Sequence, residues 1–229
     1  MLEFVKARSA RTWPQLRKKV LAFYYTWYGT PEYHGRWVHW GEVDPAAHDI
    51  SESTHYPALG AYDSHDSAVL DRHINLAKQH GVDGFICTWW GVETFDDMAF
   101  RKVLERSAEK NFTVTLYWET VPGSGRAQVD RAVGDLLYIL KNYGSHPSFL
   151  KVDGRPVIFV YGRVMNEVAK RQWPAIFTEV QRQYPTGFLL IARRENGSTY
   201  KTLWEEAIRA DPDWILITSW NEWHEGSEI

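Results

Sequence analysis

Six apolar runs of strand length alternate with amphipathic segments along this chain, and that order limits the fold more than any other feature of the sequence. Such an alternation is typical of βα units arranged around a parallel sheet. The fold class is therefore α/β. The predicted strands cover residues 20–28, 84–90, 112–119, 156–161, 188–192 and 214–220. The predicted helices cover residues 67–80, 97–110, 129–143, 167–184 and 200–210.

The domain organisation is simple. The chain has 229 residues, which is enough for one large α/β domain, and no internal repeat or low-complexity linker divides it. We predict a polar segment over residues 1–19 and a single domain over residues 20–229. The polar segment has no apolar run of a signal peptide. The default expectation is a cytoplasmic protein, or a secreted one if a leader is missing from this chain.

Composition excludes several classes of partner. The net charge is −3, and the only cluster of Lys and Arg is residues 17–19, so no nucleic-acid partner is predicted. No stretch approaches 18 apolar residues, so no membrane partner is predicted either. Cys87 is the only cysteine, which excludes an internal disulfide and a Cys-based zinc site, and we expect it to be a small buried apolar residue.

Aromatic residues point to a different ligand. The chain has 12 Trp, 12 Tyr and 10 Phe, so the aromatic residues with a hydrogen-bonding tip outnumber Phe. Such side chains suit surfaces that mix apolar faces with polar groups, and sugars have that mixture. Many of these residues follow predicted strands directly, where the carboxyl ends of parallel strands meet at one mouth. For any single aromatic residue, core packing is the alternative.

The segment that follows the last predicted strand carries two carboxylates three residues apart, Glu222 and Glu225. A Glu at a strand end points into a mouth rather than into the core, and neighbouring Asn221, Trp223 and His224 can orient a substrate and tune the pKa of a carboxyl group. The alternative is a polar loop that only closes the strand.

The connection over residues 29–66 is long for a compact domain and rich in Trp, Tyr and His. Long connections of this kind are functional or disordered, and the aromatic content argues against disorder. We expect it to form a lid or wall over the mouth. Its histidines lack an HExxH spacing and have no cysteine beside them, so no metal and no cofactor is predicted.

At this point the chain resembles a known family, glycoside hydrolase family 99, the endo-α-mannosidase family, with its bacterial relatives. The resemblance implies a (β/α)₈ barrel that cleaves α-mannosidic linkages inside glycans with retention of configuration. A glycan or oligosaccharide is the implied partner. The segments that carry it are 23–29 (FYYTWYG), 36–40 (RWVHW), 56–65 (YPALGAYDSH), 88–91 (TWWG), 117–119 (YWE) and, above all, 217–227 (ITSWNEWHEGS).

The resemblance also implies residue roles. Glu222 would act as a base on the 2-hydroxyl of the sugar, whose oxygen displaces the leaving group and gives a 1,2-anhydro sugar. Glu225 would protonate the leaving oxygen and later deprotonate water, which requires a pKa raised by burial against Trp223. Trp90 would lie against the 2-position of the sugar, and Glu119 would bind substrate. The other residues assigned to substrate binding are Tyr25, His39, Tyr161, Asn221 and Trp223.

The number of strands departs from the family pattern and affects this interpretation. The family barrel has eight strands and six are recognised here, because segments that the family places after residue 192 are absent. We therefore predict a shortened (β/α) TIM-barrel type that ends at the catalytic motif. A missing wall exposes sheet edges, which favours self-association into a homo-oligomer. The alternatives to an enzyme are an inactive glycan-binding remnant of the same fold and a domain associated with polysaccharide biosynthesis.

Overall fold

A computed structural model describes residues 18–192 and 213–229 of the chain. The strands are β1 Lys19–Tyr24, β2 Val43–Asp44, β3 Asp49–Ile50, β4 Gly84–Trp89, β5 Thr113–Trp118, β6 Lys151–Val152, β7 Arg155–Val160, β8 Leu189–Ala192 and β9 Trp214–Ile217. The helices are α1 Pro31–His34, α2 Ser67–Gln79, α3 Phe95–Glu109, α4 Gly125–Asn142, α5 Gly162–Glu167 and α6 Trp173–Gln183, with a 3₁₀ turn at Lys170–Gln172.

The main sheet of the described residues contains six parallel strands in the order β9-β1-β4-β5-β7-β8. Neighbours in space follow chain order, except that the last strand returns to pair with the first. The short strand β6 pairs antiparallel to β7, and β2 and β3 form a separate two-stranded hairpin. The predicted parallel α/β sheet and its six strands are thus confirmed.

The sheet curls in the manner of a barrel. Strands β9 and β7 are four neighbour spacings apart in the sheet order, which is about 19 Å along a flat sheet. The ring centroids of Trp214 in β9 and Phe159 in β7 nevertheless lie 6.4 Å apart. Both rings belong to one apolar cluster that also contains Leu21, Phe23 and Ile86. This cluster therefore fills the inside of a strongly curved sheet.

Alternate residues of each strand face the two sides of the sheet, as the pleat requires. Phe23 and Phe159 lie in the inner cluster, whereas Tyr24 and Val160 belong to a second cluster with residues of α2, α3, α4 and α6. Cys87 is fully buried in that outer cluster, which confirms its expected role as a small buried residue. The core thus has an inner and an outer layer, and the strand ends open onto the rim of the inner layer.

The first and last predicted strands were too long. β1 ends at Tyr24 and β9 at Ile217. Beyond β1 the backbone N–H groups are bonded to side chains instead of to a strand ladder, whereas beyond β9 Ser219 N donates to Ser227 O at 2.7 Å within the loop. The N–H groups of residues 25, 26 and 28 donate to Asn221 Oδ1, Thr88 Oγ1 and Ser64 Oγ at 2.7, 3.2 and 3.2 Å. The residues predicted to extend β1 therefore form an irregular segment at the mouth.

Helix boundaries also differ from the prediction. Thr94 caps α3 by accepting a bond from Asp97 N, so this helix begins at Phe95 rather than at residue 97. The single helix predicted over residues 167–184 is wrong. The backbone of Val168 is extended and its side chain is fully buried, and this separates α5 from α6, in which Pro174 occupies the first turn. The helix predicted over residues 200–210 lies outside the described residues.

Gly84 permits the close approach of β4 and β5. A Cβ at this position would lie 2.5 Å from the carbonyl oxygen of Thr113, which is backbone and cannot move aside. We expect Gly84→Ala to lower the free energy of unfolding by about 2 kcal/mol, because overpacking forces the two strands apart. Denaturant unfolding measures this loss.

Gly134 provides the matched control for that substitution. It lies exposed within α4, and a Cβ there would have no heavy atom within 4 Å. Gly134→Ala should raise the free energy of unfolding by about 0.5–1 kcal/mol, since Ala is the better helix former. Equal stability of the two alanine variants would contradict the close packing of β4 against β5.

Candidate active site

Four of the predicted site residues are the first residues after parallel strands. Tyr25, Trp90, Glu119 and Tyr161 directly follow β1, β4, β5 and β7. Each comes two positions after Phe23, Thr88, Tyr117 or Phe159, and three of those four belong to the inner cluster. By the period of two along a strand, all four side chains continue the inward-facing series at the carboxyl ends of the strands, where barrel enzymes place their sites.

Asn221 attaches the loop that follows β9, residues 218–229, to the end of β1. We call this segment the terminal loop. Asn221 is fully buried, and its Oδ1 accepts a bond from Tyr25 N at 2.7 Å. Its Nδ2 donates to Tyr25 O and to the Tyr62 hydroxyl, both at 2.9 Å. Both amide N–H groups of Asn221 are therefore used within the protein. The structure makes it a residue that positions Tyr25 and the loop that carries the two glutamates.

Glu222 is the buried carboxylate of the terminal motif, with a side chain 5% exposed. Its backbone N–H donates to Ser219 Oγ at 2.9 Å, and its Oε1 lies 3.4 Å from His224 Nδ1. Burial raises the pKa of Glu222, and the contact with His224 offsets part of that rise. The result is a carboxylate whose basicity is increased and whose orientation is fixed from two sides.

The imidazole of His224 connects Glu222 to the long connection. Its Nε2 lies 2.8 Å from the carbonyl oxygen of His39. Because a carbonyl only accepts, Nε2 carries a proton, and Nδ1 is an acceptor in the neutral ring and a donor in the imidazolium. Contact with Glu222 raises the pKa of His224. Glu222 and His224 thus form a pair that can share one proton.

The structure does not bury Glu225 against Trp223, and that expectation is wrong. Glu225 is exposed, whereas Glu222 is 4% exposed as a whole residue. Trp223 packs with the wall, and its Nε1 donates to the Tyr62 hydroxyl at 2.9 Å. The chain then turns at Gly226, which has φ 63°. This turn places Glu225 at the solvent side of the loop.

The negative charges of three glutamates act on Tyr25. Burial raises the pKa of the Tyr25 phenol, and the charges of Glu222, Glu119 and Glu225 raise it further. These glutamates come from two separate places in the chain, the end of β5 and the terminal loop. Glu119 is 4% exposed. The structure therefore brings Tyr25 and three acidic side chains into one electrostatic environment at the mouth.

Trp27 joins the aromatic residues of the mouth, and the sequence-based site did not include it. Its ring lies 4.6 Å from Tyr25, stacks on His39 at 4.7 Å and 10°, and lies 6.5 Å from both Trp90 and His224. The sequence feature that could have identified Trp27 is its position in the aromatic segment that follows β1. His39 is held at φ 55° and is exposed apart from this stack.

The predicted wall is present as a packed segment. Asp63 is 2% exposed and accepts bonds from Thr30 N at 2.7 Å and His65 N at 2.8 Å, which ties the two ends of the connection together. Thr54 N donates to Trp223 O at 2.8 Å, and Thr54 Oγ1 donates to His224 O at 2.9 Å. The connection therefore supports the terminal loop. It contains α1 and the β2–β3 hairpin.

Residues 18–192 and 213–229 contain no group of three or more His, Cys, Asp or Glu side chains placed to hold a metal ion. Among the helices of the same residues, none is long and apolar enough to cross a membrane.

A curled parallel sheet with carboxylates and aromatic rings at the carboxyl ends of its strands defines a glycoside hydrolase of the barrel class. A family comparison identifies the group. The chain belongs to glycosyl hydrolase family 99, whose family model matches residues 15–186. The matched residues run from just before β1 to just after α6.

A solved structure of the same family has the same fold. The GH99 endo-alpha-mannosidase from Bacteroides thetaiotaomicron superposes with a TM-score of 0.66 and is 23% identical in sequence. The superposition covers 91% of this chain and 86% of that chain. It confirms the (β/α) TIM-barrel type.

Two mammalian relatives have related names. A glycoprotein endo-alpha-1,2-mannosidase from Rattus norvegicus is 23% identical over 320 residues, which cover 94% of this chain and 68% of the rat protein. The Mus musculus protein of that name is 27% identical over 175 residues, covering 65% of this chain and 37% of the mouse protein. The alignment with the rat protein is longer than the 229 residues of this chain, so the rat protein carries internal segments that this chain lacks.

Proposed function

We propose that this glycoside hydrolase is an endo-acting α-mannosidase that retains configuration through a 1,2-anhydro sugar. The observation that carries the proposal is an aromatic mouth in which Glu119 and Glu222 are buried and the charges of Glu119, Glu222 and Glu225 all act on the Tyr25 phenol. The names of the rat, mouse and Bacteroides thetaiotaomicron relatives support the choice of an α-mannosidic glycan. The substrate class is therefore an oligosaccharide with an internal α-mannosyl residue.

In the first step, Glu222 takes the proton of the sugar 2-hydroxyl. The freed O2 attacks the anomeric carbon, the glycosidic bond breaks, and Glu225 donates its proton to the leaving oxygen. The products are a 1,2-anhydro sugar and the released glycan. Burial suits Glu222 to this task, because a base with a raised pKa removes a hydroxyl proton more readily near neutral pH.

In the second step, the ionised Glu225 takes a proton from water as the water oxygen attacks the anomeric carbon. The O2 bond to that carbon breaks, and Glu222 returns its proton to O2. Both glutamates then have their starting protonation. Each step inverts the anomeric carbon, so the overall outcome is retention. The exposure of Glu225 is compatible with this role, since it acts on water and on a leaving group that faces solvent.

His224 holds the state of Glu222 between the two steps. With Nε2 bonded to His39 O, only Nδ1 faces Glu222 Oε1. An imidazolium there stabilises the ionised carboxylate before the reaction, and it continues to donate to Oε1 while the proton taken from the sugar is held on the other carboxyl oxygen. His224 is thus proposed as a positioning residue for the base.

The remaining predicted residues divide into two groups. Trp90, Tyr161, Tyr25 and His39 offer ring faces and polar tips to a sugar, and Glu119 accepts bonds from its hydroxyl groups. The side chains of Asn221 and Trp223 are bonded to Tyr25 and Tyr62. Their proposed contribution is therefore to hold the mouth rather than to bind the substrate.

An inactive glycan-binding remnant is the second candidate. The observation in its favour is the length of the alignment with the rat protein, which implies that internal segments of that protein are missing here. A binding domain would use the same aromatic mouth without turnover. A domain associated with polysaccharide biosynthesis makes the same prediction for isolated substrates.

The stereochemistry of hydrolysis tests the proposal. An α-linked disaccharide fluoride with mannose at the reducing end should be hydrolysed to a product that first appears as the α anomer in ¹H NMR spectra. The double variant Glu222→Gln and Glu225→Gln, purified in the same way, controls for a contaminating mannosidase. An initial β anomer would reject the mechanism, and binding of the sugar without turnover would support the remnant.

A further inference from the structure

Arg163 occupies the mouth beside the proposed sugar-binding rings. It lies in the first turn of α5, two residues after Tyr161. Its guanidinium carbon is 5.0 Å from the ring centroid of Trp90 and 5.4 Å from that of Tyr161. The side chain belongs to an exposed residue, so its charge remains accessible from solvent. A permanent cation thus lies across two aromatic faces on which we place the substrate.

The guanidinium has no carboxylate partner within the parts of the chain that are described. Arg106, Arg126 and Arg182, which also lie on helices, each form an ion pair with a carboxylate, whereas no such pair and no hydrogen bond of the Arg163 side chain is present among residues 18–192 and 213–229. Stacking on rings uses the face of the guanidinium and leaves its N–H donors in the ring plane. Those donors have no partner among the described residues.

The chemistry of such a group selects one type of oxygen ligand. A neutral hydroxyl needs one donor and no charge. Two parallel N–H groups on a permanently charged plane match the paired oxygens of a phosphate or carboxylate. The other charged groups that we assign to substrate are the acids Glu119, Glu222 and Glu225, which repel an anionic glycan. Arg163 is the basic residue that offsets this repulsion on the side of the mouth formed by Trp90 and Tyr161.

We propose that Arg163 forms a subsite for an anionic substituent, a phosphate or a carboxylate, on a sugar that packs against Trp90 and Tyr161. The inference rests on the proposed function, because it names the class of glycan that the same mouth accepts. It makes the natural substrate a charged oligosaccharide, and it makes Arg163 a specificity-determining residue rather than a catalytic one.

Calorimetry on the full chain tests this proposal with matched sugars. The ligands are mannose, mannose 6-phosphate and mannuronic acid, together with glucose and glucose 6-phosphate. We expect at least one anionic mannose derivative to bind about 10- to 100-fold more tightly than mannose, since a hydrogen bond to a charged group contributes that much to affinity. Comparison of mannose 6-phosphate with mannuronic acid identifies whether a phosphate or a carboxylate is preferred.

Three variants assign the preference to Arg163. Arg163→Gln should bring the affinity ratio of anionic to neutral sugar close to one, and Arg163→Lys should restore part of it, which a packing defect would not do. Arg182→Gln, an exposed control on α6, should leave the ratio unchanged. A ratio near one in the parent chain, an unchanged ratio in Arg163→Gln, or equally tight binding of inorganic phosphate alone would each overturn the proposal.

The glucose pair separates this inference from the proposed function. If phosphate improves binding of both sugars through Arg163 while mannose is not preferred to glucose, the anion subsite stands and the α-mannosidase proposal fails. If mannose is preferred to glucose and an α-mannoside is hydrolysed, but phosphate has no effect on binding, the α-mannosidase proposal stands and the anion subsite fails.

Discussion

Glu222→Gln should lower kcat/KM by about 10²- to 10⁴-fold on every α-mannoside, whatever its leaving group. The substitution removes the base that generates the internal nucleophile, and a better leaving group does not replace that step. The amide has the shape of the carboxyl group and can donate to His224 Nδ1, so the terminal loop should keep its fold. Initial rates on an aryl mannoside, a mannosyl fluoride and an oligosaccharide measure the losses.

Glu225→Gln should show a different pattern on the same three substrates. Its loss should be of similar size, about 10²- to 10⁴-fold, on the oligosaccharide, whose leaving oxygen needs a proton, and much smaller on the fluoride, which needs little assistance. Glu105→Gln, an exposed substitution on α3, serves as the control. Equal losses across substrates for Glu225→Gln would reject its role as the acid, and a loss that depends on leaving group for Glu222→Gln would reject its role as the base.

The strands could be predicted from the sequence because each is a mainly apolar run, and a curled parallel sheet buries both faces of its strands. The positions at which β1 and β9 end could not be predicted from the sequence. Residues 25–28 are as apolar and aromatic as the strand before them, and they leave the ladder only because Asn221, Thr88 and Ser64 take their backbone bonds. Those partners are 36 to 196 residues distant in the chain, so no local pattern contains them.

The candidate site was predictable to the extent that it follows the period of the strands. Tyr25, Trp90, Glu119 and Tyr161 are adjacent to strand ends, and the sequence places them at the mouth. Trp27 and Arg163 lie beyond the ends of β1 and β7, in an irregular segment and in α5, where the period of the strands no longer says which side chains face the mouth. The family resemblance did not include Arg163 either.

Which of the two glutamates is buried was harder to predict from the sequence. Glu222 and Glu225 lie three residues apart in a turn. A turn has no regular periodicity of side-chain direction, so the sequence does not predict which of the two is buried. The outcome depends on Ser219, which bonds the backbone of Glu222, and on Thr54, which bonds the carbonyl groups of Trp223 and His224. The carboxylate expected to be buried is therefore the exposed one, for reasons that lie in the wall segment.

A second large effect concerns acid stability and arises from His73, behind the mouth. This residue of α2 is 6% exposed, and its Nδ1 lies 2.9 Å from the Tyr24 hydroxyl. Its ring packs against Tyr62 and Trp220, which support the terminal loop. Burial lowers the pKa of His73 to about 3, with a smaller contribution from Arg72. The neutral ring is thus the form compatible with the fold.

The folded-state pKa of His73 is below that of the unfolded chain, about 6.5, so the unfolded state binds a proton first as the pH falls. The contribution of His73 to stability is fully present above the unfolded pKa, and it is lost progressively as the pH falls toward the folded pKa. Between about pH 7.5 and 4.5 this residue alone should remove about 2.5 kcal/mol from the free energy of unfolding. Urea titrations across this range measure the loss.

His73→Gln should remove this part of the pH dependence, because Gln cannot gain the proton while its amide oxygen can still accept the bond from Tyr24. The variant should therefore lose about 2.5 kcal/mol less than the parent over the same interval, even if it is less stable at neutral pH. His48→Gln, at an exposed ring stacked on Tyr56, is the control and should follow the parent. Parallel stability curves for the parent and His73→Gln would show that the buried ring is protonated in the folded chain. In that case, acid inactivation would have to begin at another group, and the Glu222–His224 pair at the mouth is the next to examine.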